Sequence, residues 1–303
     1  MIHTAKQLKD LIRNMSQKTG VKPEVLFRKY MMERFLERIS LSEYNERFIL
    51  KGGMLIVGVM GIEARTTMDM DTTVKGIPVT MDNMERIITE ISNIALEDNV
   101  KFRIKKVSGI MEEAEYPGVR FSMDAELDGT IIPMKMDVST GDVITPKEIY
   151  YSYKLMFEDR TISIMAYPIE TVLAEKLHAV ISKGTAGTRM RDFYDIDMLL
   201  KSQNIDDSVF ALALERTAKN KGGLNFLAEA GKILKEIKSD EKMKSLWATY
   251  QENFIYASKY SWDDVVHSVW KLSIKAKLDV SELYATKSKA NAEKERDENE
   301  LER

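Results

Sequence analysis

The stretch that decides the fold is Lys51-Gly52-Gly53, followed after fifteen residues by Asp69-Met70-Asp71. Residues i and i+2 of a strand project from the same face, so Asp69 and Asp71 can bind one hard cation together. Mg²⁺ is bound through oxygen atoms, commonly from one or two carboxylates together with the phosphates of a substrate. Glycine lets backbone N–H groups approach an anionic ligand without interference from a Cβ atom. Each motif alone is common, but together they predict a site for a triphosphate and a divalent cation.

The composition narrows the class of protein. Of 303 residues, 44% are hydrophobic and 31% are charged, which is typical of a soluble protein large enough for two domains. The absence of cysteine excludes disulfides and thiolate metal sites and fits a reducing compartment. With no apolar signal segment and no run of about eighteen apolar residues, we expect a cytoplasmic protein that does not enter a membrane. The net charge of −3 argues against a generic nucleic-acid binder, but it does not exclude an RNA substrate on a local basic patch.

Hydrophobic periodicity predicts an α+β protein. Residues 1–166 are expected to form a domain with a mixed sheet flanked by helices, in which residues 1–45 are an N-terminal helical part. Asp128-Gly129 predicts a hairpin turn between two of its strands. Residues 167–285 have helical patterns throughout and are expected to form an all-helical domain. Residues 286–303 are almost all charged or small and indicate a solvated tail.

A third carboxylate, Asp137, lies at the end of the apolar strand predicted over residues 130–138. Taken alone, it is better explained as a strand-terminal residue that faces water. If an adjacent strand brings it beside Asp69 and Asp71, the three carboxylates complete a cage for metal ions. Two metals held in this way stabilise both the attacking oxygen and the leaving pyrophosphate of an in-line displacement. Lys135 would lie on the same face and could neutralise phosphate charge.

Taken together, these motifs resemble the AbiEii/AbiGii toxins, a group within the polymerase-β-like nucleotidyltransferases. The opening helices are also similar to this group, and many of its wider relatives have Ser where this chain has Met54. A hydroxyl contact to the triphosphate is therefore missing here. The motifs that carry the resemblance extend over residues 50–200: Lys51-Gly52-Gly53, Arg65-Thr66-Thr67-Met68-Asp69-Met70-Asp71, Lys135-Met136-Asp137, Tyr167-Pro168 with Ala174-Glu175-Lys176, and Arg189-Met190-Arg191-Asp192-Phe193-Tyr194-Asp195.

The resemblance implies a bacterial toxin of a toxin–antitoxin pair linked to abortive infection by phage. It would transfer a nucleoside monophosphate from an NTP to an acceptor hydroxyl with Mg²⁺ as cofactor. The acceptor would be the 3′ end of tRNA or another RNA, and the cognate antitoxin would be encoded nearby. Asp192 would orient a lysine or act as a base at the acceptor. The metal ligands would be Asp69, Asp71 and Asp137, and the triphosphate would be bound by Gly52, Gly53, Arg65 and Lys176.

Lys176 is the residue of the helical domain on which this interpretation most depends. It lies within an apolar arc of its predicted helix, where a lysine commonly extends past its neighbours to water. Because the chain also carries three suitable carboxylates, we expect Lys176 to reach the nucleotide cleft, to which the helical domain would contribute. On the next helix, Asp192 and Asp195 are three residues apart and would repel each other unless a cation lies near. Arg189 or Arg191 could provide that cation, and the acids would then be structural.

Two other functions are compatible with the sequence. One is a nucleotidyltransferase that acts on a small molecule or a protein side chain, and the other is a non-catalytic NTP-binding growth inhibitor. Basic residues on one predicted strand favour an RNA acceptor, because they offer a modest electrostatic patch. These residues are Lys101, Arg103, Lys105 and Lys106. The preferred NTP, the identity of the acceptor, direct contact with the antitoxin and the oligomeric state stay open.

Overall fold

The computed structural model describes residues 2–110 and 118–280. The chain divides into two compact units, with the division between Pro168 and Ile169. The tail predicted over residues 286–303 lies outside the described part of the chain. Within that part, no helix is both long enough and apolar enough to cross a bilayer.

The first unit is built around a mixed sheet. Over the described residues, the sheet has seven strands: β1 (Phe48–Lys51), β2 (Asp69–Val74), β3 (Lys101–Ile110), β4 (Gly118–Leu127), β5 (Thr130–Ser139), β6 (Ile149–Lys154) and β7 (Thr161–Ala166). Their order is β3-β4-β5-β2-β1-β7-β6. The pairs β2–β5 and β1–β7 are parallel, and the other neighbours are antiparallel. The α+β fold class predicted from the sequence is confirmed.

Among the described residues of this unit, four helices accompany the sheet: α1 (Ala5–Thr19), α2 (Pro23–Leu41), α3 (Gly52–Met60) and α4 (Met81–Ser92). Local sequence explains where the first two begin and end. The Thr4 hydroxyl accepts a hydrogen bond from the Gln7 N–H at the start of α1, and Gly20 ends that helix at φ 73°. Pro23 opens α2, where the missing N–H costs no helical hydrogen bond.

The hairpin between β4 and β5 determines which residues face solvent. Asp128 and Gly129 both have positive φ, 49° and 75°, as a two-residue hairpin turn requires. Along β4 the buried and accessible residues alternate, so one face of the strand packs into the core and the other is polar. The buried residues are Val119, Phe121, Met123, Ala125 and Leu127, and the polar ones are Arg120, Ser122, Asp124 and Glu126.

The second unit is helical over its described residues, as the sequence predicted. Its helices are α5 (Ile169–Lys183), α6 (Met190–Ser202), α7 (Asp207–Lys221), α8 (Leu224–Ala228), α9 (Ala230–Ser239), α10 (Glu241–Asn253) and α11 (Trp262–Lys275). The periodicity predicts one helix over 224–237, but the structure has two, with a break at Glu229. A Cβ at Gly231 would lie 2.9 Å from the Asp279 carbonyl oxygen, so α9 lies here against a backbone segment that periodicity does not report.

Candidate functional site

The three acidic residues singled out in the sequence lie on neighbouring strands. In the parallel pair β2–β5, Asp71 is opposite Asp137 and Asp69 is opposite Lys135. Paired residues of adjacent strands point to the same face, as do residues i and i+2 of one strand. Asp69, Asp71 and Asp137 therefore share the polar face of the sheet.

A row of charged residues, one on each strand, crosses β4, β5, β2 and β1. Strand pairing places Arg120 opposite Asp137, Asp137 opposite Asp71, and Asp71 opposite Lys51. Two carboxylates thus lie side by side at the centre, and a cationic residue flanks each of them. Because like charges on adjacent strands destabilise a sheet, the flanking cations compensate for the central pair.

The surroundings of Asp71 oppose the ionisation of its carboxylate. Its pKa is raised, first by burial and then by the negative charges of Asp137 and Asp69, while Lys51 and the Gly53 N–H act in the opposite direction. The Gly53 nitrogen lies 3.5 Å from Asp71 Oδ2. A carboxylate disfavoured in this way would gain from a nearby divalent cation, and the oxygen donor set fits Mg²⁺.

Arg120 already binds both oxygens of Asp137. Its Nε donates to Oδ1 at 2.8 Å and its Nη2 donates to Oδ2 at 2.6 Å. This contact, together with the charges of Asp69 and Asp71, raises the pKa of Arg120. Over residues 2–110 and 118–280, no three Asp, Glu or His side chains lie close enough to share a metal ion. The predicted cage is therefore aligned in strand register but is not gathered around a common point.

The two glycines at the start of α3 are required by close approach. Gly52 has φ 63°, and a Cβ atom there would lie 2.2 Å from Asp71 Oδ2. A Cβ at Gly53 would lie 2.4 Å from the Thr67 hydroxyl oxygen and 2.6 Å from Arg65 Nη1. Glycine at both positions lets the turn from β1 into α3 lie directly against the acidic strand. Whether this turn also binds a triphosphate stays a prediction.

Arg65 supports this turn from inside the protein. The residue is 2% exposed, and its Nη1 donates to the carbonyl oxygens of Gly53 at 3.1 Å and Thr66 at 3.0 Å. These bonds fix the loop that leads to β2. The contact of Arg65 with a triphosphate stays a prediction.

Lys51 is held beside the acidic strand by a second polar cluster. Its Nζ lies 2.8 Å from the Ser139 hydroxyl and 2.5 Å from Asp142 Oδ2. The Ser139 hydroxyl also donates to Asp142 at 2.9 Å. Lys51 is thus positioned by a carboxylate outside the predicted set of acids.

In the helical unit, Lys176 bridges two buried acids. Its Nζ lies 2.8 Å from Asp192 Oδ1 and 2.7 Å from Asp195 Oδ2. Asp192 is 1% exposed, Asp195 is 0% exposed and Lys176 is 9% exposed. Arg189 Nε lies 3.0 Å from the other oxygen of Asp192. Lys176 therefore provides a counter-charge that both acids share. The resemblance implied that Asp192 orients this lysine, but the contact with Asp195 was not predicted.

A cavity of about 250 Å³ adjoins Asp192 within the helical unit. The loop between α5 and α6 forms one side, with Lys183 and Arg189 at its ends, and Phe193 and Val180 contribute apolar surface. Lys176 and Asp192, both predicted site residues, are in direct contact. Asp192 also lines this cavity, whose volume would admit a small ligand.

A family model extends over most of these elements. The model for the nucleotidyl transferase AbiEii toxin of type IV toxin–antitoxin systems matches residues 34–268. The chain belongs to this family. It is therefore a nucleotidyltransferase, and its family comprises toxins of toxin–antitoxin systems. The resemblance seen in the sequence is confirmed.

Three solved structures illustrate the similarity of this chain to known proteins. A candidate nucleotidyltransferase from Helicobacter pylori is 16% identical, with 88% of this chain and 99% of that chain covered and a TM-score of 0.46. The Helicobacter pylori protein JHP933 is 15% identical, with 90% and 99% covered and a TM-score of 0.48. An antigenic nucleotidyltransferase-like protein from Paracoccidioides brasiliensis is 12% identical, with 89% and 94% covered and a TM-score of 0.36. No protein with a curated description matches the chain.

Three charged residues of the AbiEii protein near the acidic strand were not assigned roles from the sequence. Lys51 was noted only as part of the glycine motif, and Arg120 and Asp142 were not singled out. Arg120 occupies an ordinary polar position in an alternating strand, so its relation to Asp137 becomes visible only through the β4–β5 register. The single signal in the sequence was the Asp128-Gly129 turn, which fixes that register.

Proposed function

We propose that this AbiEii nucleotidyltransferase transfers a nucleoside monophosphate from an NTP to a hydroxyl of an RNA acceptor, the 3′ end of tRNA, with Mg²⁺ as cofactor. The observation that carries the proposal is the strand register that aligns Asp69, Asp71 and Asp137 on one face next to the Gly52-Gly53 turn. Metal-dependent phosphoryl chemistry needs carboxylate oxygens beside a backbone that can approach phosphates, and this arrangement has both.

The proposed metal ligands are Asp69, Asp71 and Asp137. When bound there, Mg²⁺ would supply positive charge to the transferring phosphate and to the departing pyrophosphate. The acceptor oxygen forms a bond to the α-phosphorus, and the bond from that phosphorus to the bridging oxygen of the β-phosphate breaks. The NMP is then esterified to the acceptor, pyrophosphate leaves, and the proton of the hydroxyl passes to a base.

The triphosphate is proposed to contact the turn at Gly52 and Gly53, with Arg65 acting at least by holding that turn through its bond to the Gly53 carbonyl. For the helical unit, we propose that Lys176 provides a further cation for the triphosphate. Asp192 contacts Lys176 at 2.8 Å, which supports a role in orienting the lysine more directly than a role as the base.

An RNA acceptor is supported by exposed basic residues of β3. Lys101, Arg103, Lys105 and Lys106 are all exposed. Two of them have acidic partners on β4, because Arg103 lies 3.3 Å from Glu126 and Lys105 lies 3.4 Å from Asp124. The patch therefore offers moderate attraction to a phosphate backbone, which suits a substrate that is bound, modified and released. We also propose a cytoplasmic location and control by a cognate antitoxin, as the family implies.

The test is transfer of label from each of four α-labelled NTPs into total RNA in the presence of Mg²⁺, resolved on a gel. We expect label in the tRNA band with wild-type protein and none with Asp69→Ala. Label in protein or in a small molecule would replace the RNA acceptor by one of the alternatives. Absence of pyrophosphate release with every acceptor would favour a non-catalytic NTP-binding growth inhibitor.

A further inference from the structure

We propose that Arg120 is a positioning residue that occupies both oxygens of Asp137 in the metal-free protein and is displaced when a divalent cation binds. Asp137 then becomes available as a ligand, so the strength of the Arg120–Asp137 pair sets the affinity for metal. This inference rests on the proposed function, because it takes Asp69, Asp71 and Asp137 as the metal ligands.

The geometry leaves little room for Asp137 to bind Arg120 and a metal in the same way. The two hydrogen bonds, at 2.8 and 2.6 Å, run from one edge of the guanidinium, which carries Nε and Nη2, to the two oxygens. A fork-to-fork pair of this kind uses the lone pairs that face the guanidinium and fixes the orientation of the carboxylate. A divalent cation is also attracted to these oxygens, so the two cations compete.

Exposure distinguishes this pair from a structural one. The Arg120 side chain is 44% exposed and that of Asp137 is 20% exposed. In contrast, Arg38 and Asp98 form a similar two-bond pair with side-chain exposures of 2% and 0%. Arg38 has no solvent to move into, whereas Arg120 can leave Asp137 and regain water. The pair near the acidic strand is therefore the one that can exchange.

Electrostatics explain why a cation is needed at this position in the absence of metal. Asp137 is paired across the sheet with Asp71, and Asp69 lies two residues along the same strand face. Three carboxylates without a counter-charge would repel one another, and Arg120 interacts with all three. A bound divalent cation takes over this compensation, which removes the reason for Arg120 to stay on Asp137.

The test compares divalent-cation binding by the full-length wild type and Arg120→Gln, measured by calorimetric titration with Mn²⁺ without nucleotide. Glutamine keeps a polar side chain of moderate length but removes the competing charge. We expect the variant to bind Mn²⁺ about three- to thirtyfold more tightly, the range for losing an exposed to partly buried charged pair. Arg86→Gln is the matched control, since Arg86 is also an exposed arginine paired with a carboxylate, that of Glu90, and should leave affinity unchanged.

A double-mutant cycle shows whether the effect passes through Asp137. In an Asp137→Asn background, Arg120→Gln should tighten Mn²⁺ binding much less than in the wild-type background, because the direct competition for Asp137 has been removed and only the longer-range charge of Arg120 on Asp69 and Asp71 is lost. Unchanged or weaker binding by Arg120→Gln in the wild-type background would overturn the inference, while transfer activity could persist. Failure of all variants to bind Mn²⁺, with melting curves showing folded protein, would overturn both the inference and the metal site beneath it.

Discussion

Asp71 has a carboxylate whose surroundings oppose its negative charge. Its carboxylate is half-buried, faces Asp137 across the strand pair, and lies so close to Gly52 that no side chain could be accommodated there. Burial and like charge both oppose ionisation, and these effects are concentrated where a cation is proposed to bind. A purely structural position would be better served by an uncharged residue.

We therefore expect Asp71→Asn to stabilise the protein at neutral pH. Because the pKa of Asp71 is raised in the folded state, its ionised form at pH 7 lowers the free energy of unfolding, and asparagine removes that cost. The melting temperature should rise, by roughly 2–4 °C for each 1 kcal/mol of ionisation cost that is removed in a domain of this size. As the pH falls to about 3.5, wild-type Asp71 becomes protonated in both states and the gain should disappear.

Asp159→Asn is the control for this measurement, because the side chain of Asp159 is fully exposed and should not change the melting temperature measurably. A lower melting temperature for Asp71→Asn at pH 7 would mean that the contacts of Asp71 with Lys51 and Gly53 outweigh its burial and repulsion. In either case transfer activity should be lost, since the variant removes a proposed metal ligand.

At the scale of elements, the sequence predicted strands and helices well wherever one face is buried. The Asp128-Gly129 turn predicts the β4–β5 hairpin, and helical periodicity predicts a helix over residues 169–183, which are the observed bounds of α5. Pairing between distant strands was not predictable in the same way. The alignment of Asp71 with Asp137 depends on a parallel contact between β2 and β5, which no local pattern encodes. The sequence predicted the three-carboxylate cage only on the condition that an adjacent strand brings Asp137 beside Asp69 and Asp71.

The contact between α5 and α6 gives a prediction about Lys176. Lys176→Ala would remove the cation that contacts both buried carboxylates, Asp192 at 2.8 Å and Asp195 at 2.7 Å. Breaking a buried pair by removing one partner costs about 3–5 kcal/mol. We expect a clear loss of denaturant resistance in Lys176→Ala and little change in Lys183→Ala, since Lys183 is exposed in the last turn of the same helix.

This expectation also determines how nucleotide binding should be measured. Lys176→Ala can lose NTP affinity simply because the helical unit is less stable, so the titration must be made where melting curves show that the variant is folded. Lower NTP affinity under those conditions, with Lys183→Ala unchanged, supports direct contact of Lys176 with phosphate. Equal stability of Lys176→Ala and wild type would contradict the structural role assigned to the Lys176 bridge.

At the scale of the whole molecule, family membership and overall fold class could be predicted from the sequence, but most of the pairing between charged side chains at the candidate site could not. The motifs from Lys51 to Asp195 identified the AbiEii family because several weak patterns occurred in the right order. Side-chain pairing follows from three-dimensional packing, and it was missed at Arg120 and Lys51. The contact of Lys176 with Asp192 was one of two expected roles for Asp192, but its second contact, with Asp195, was not predicted. Each of these cations binds a carboxylate from a different element, so none of the pairs has a fixed spacing along the chain.

The remaining prediction concerns growth inhibition by the intact toxin. Asp69 is exposed and its negative charge adds to the repulsion on Asp71, so Asp69→Ala should not lower the melting temperature although it removes a proposed metal ligand. Loss of a residue that merely supports a ligand commonly costs 10- to 100-fold in metal affinity or activity, so transfer should fall by at least about a hundredfold. Bacteria expressing Asp69→Ala should therefore grow normally, whereas cells expressing Asp124→Ala, altered on the same polar face, should remain inhibited. Growth inhibition by an Asp69→Ala protein that no longer transfers nucleotides would separate toxicity from catalysis and favour sequestration of NTP.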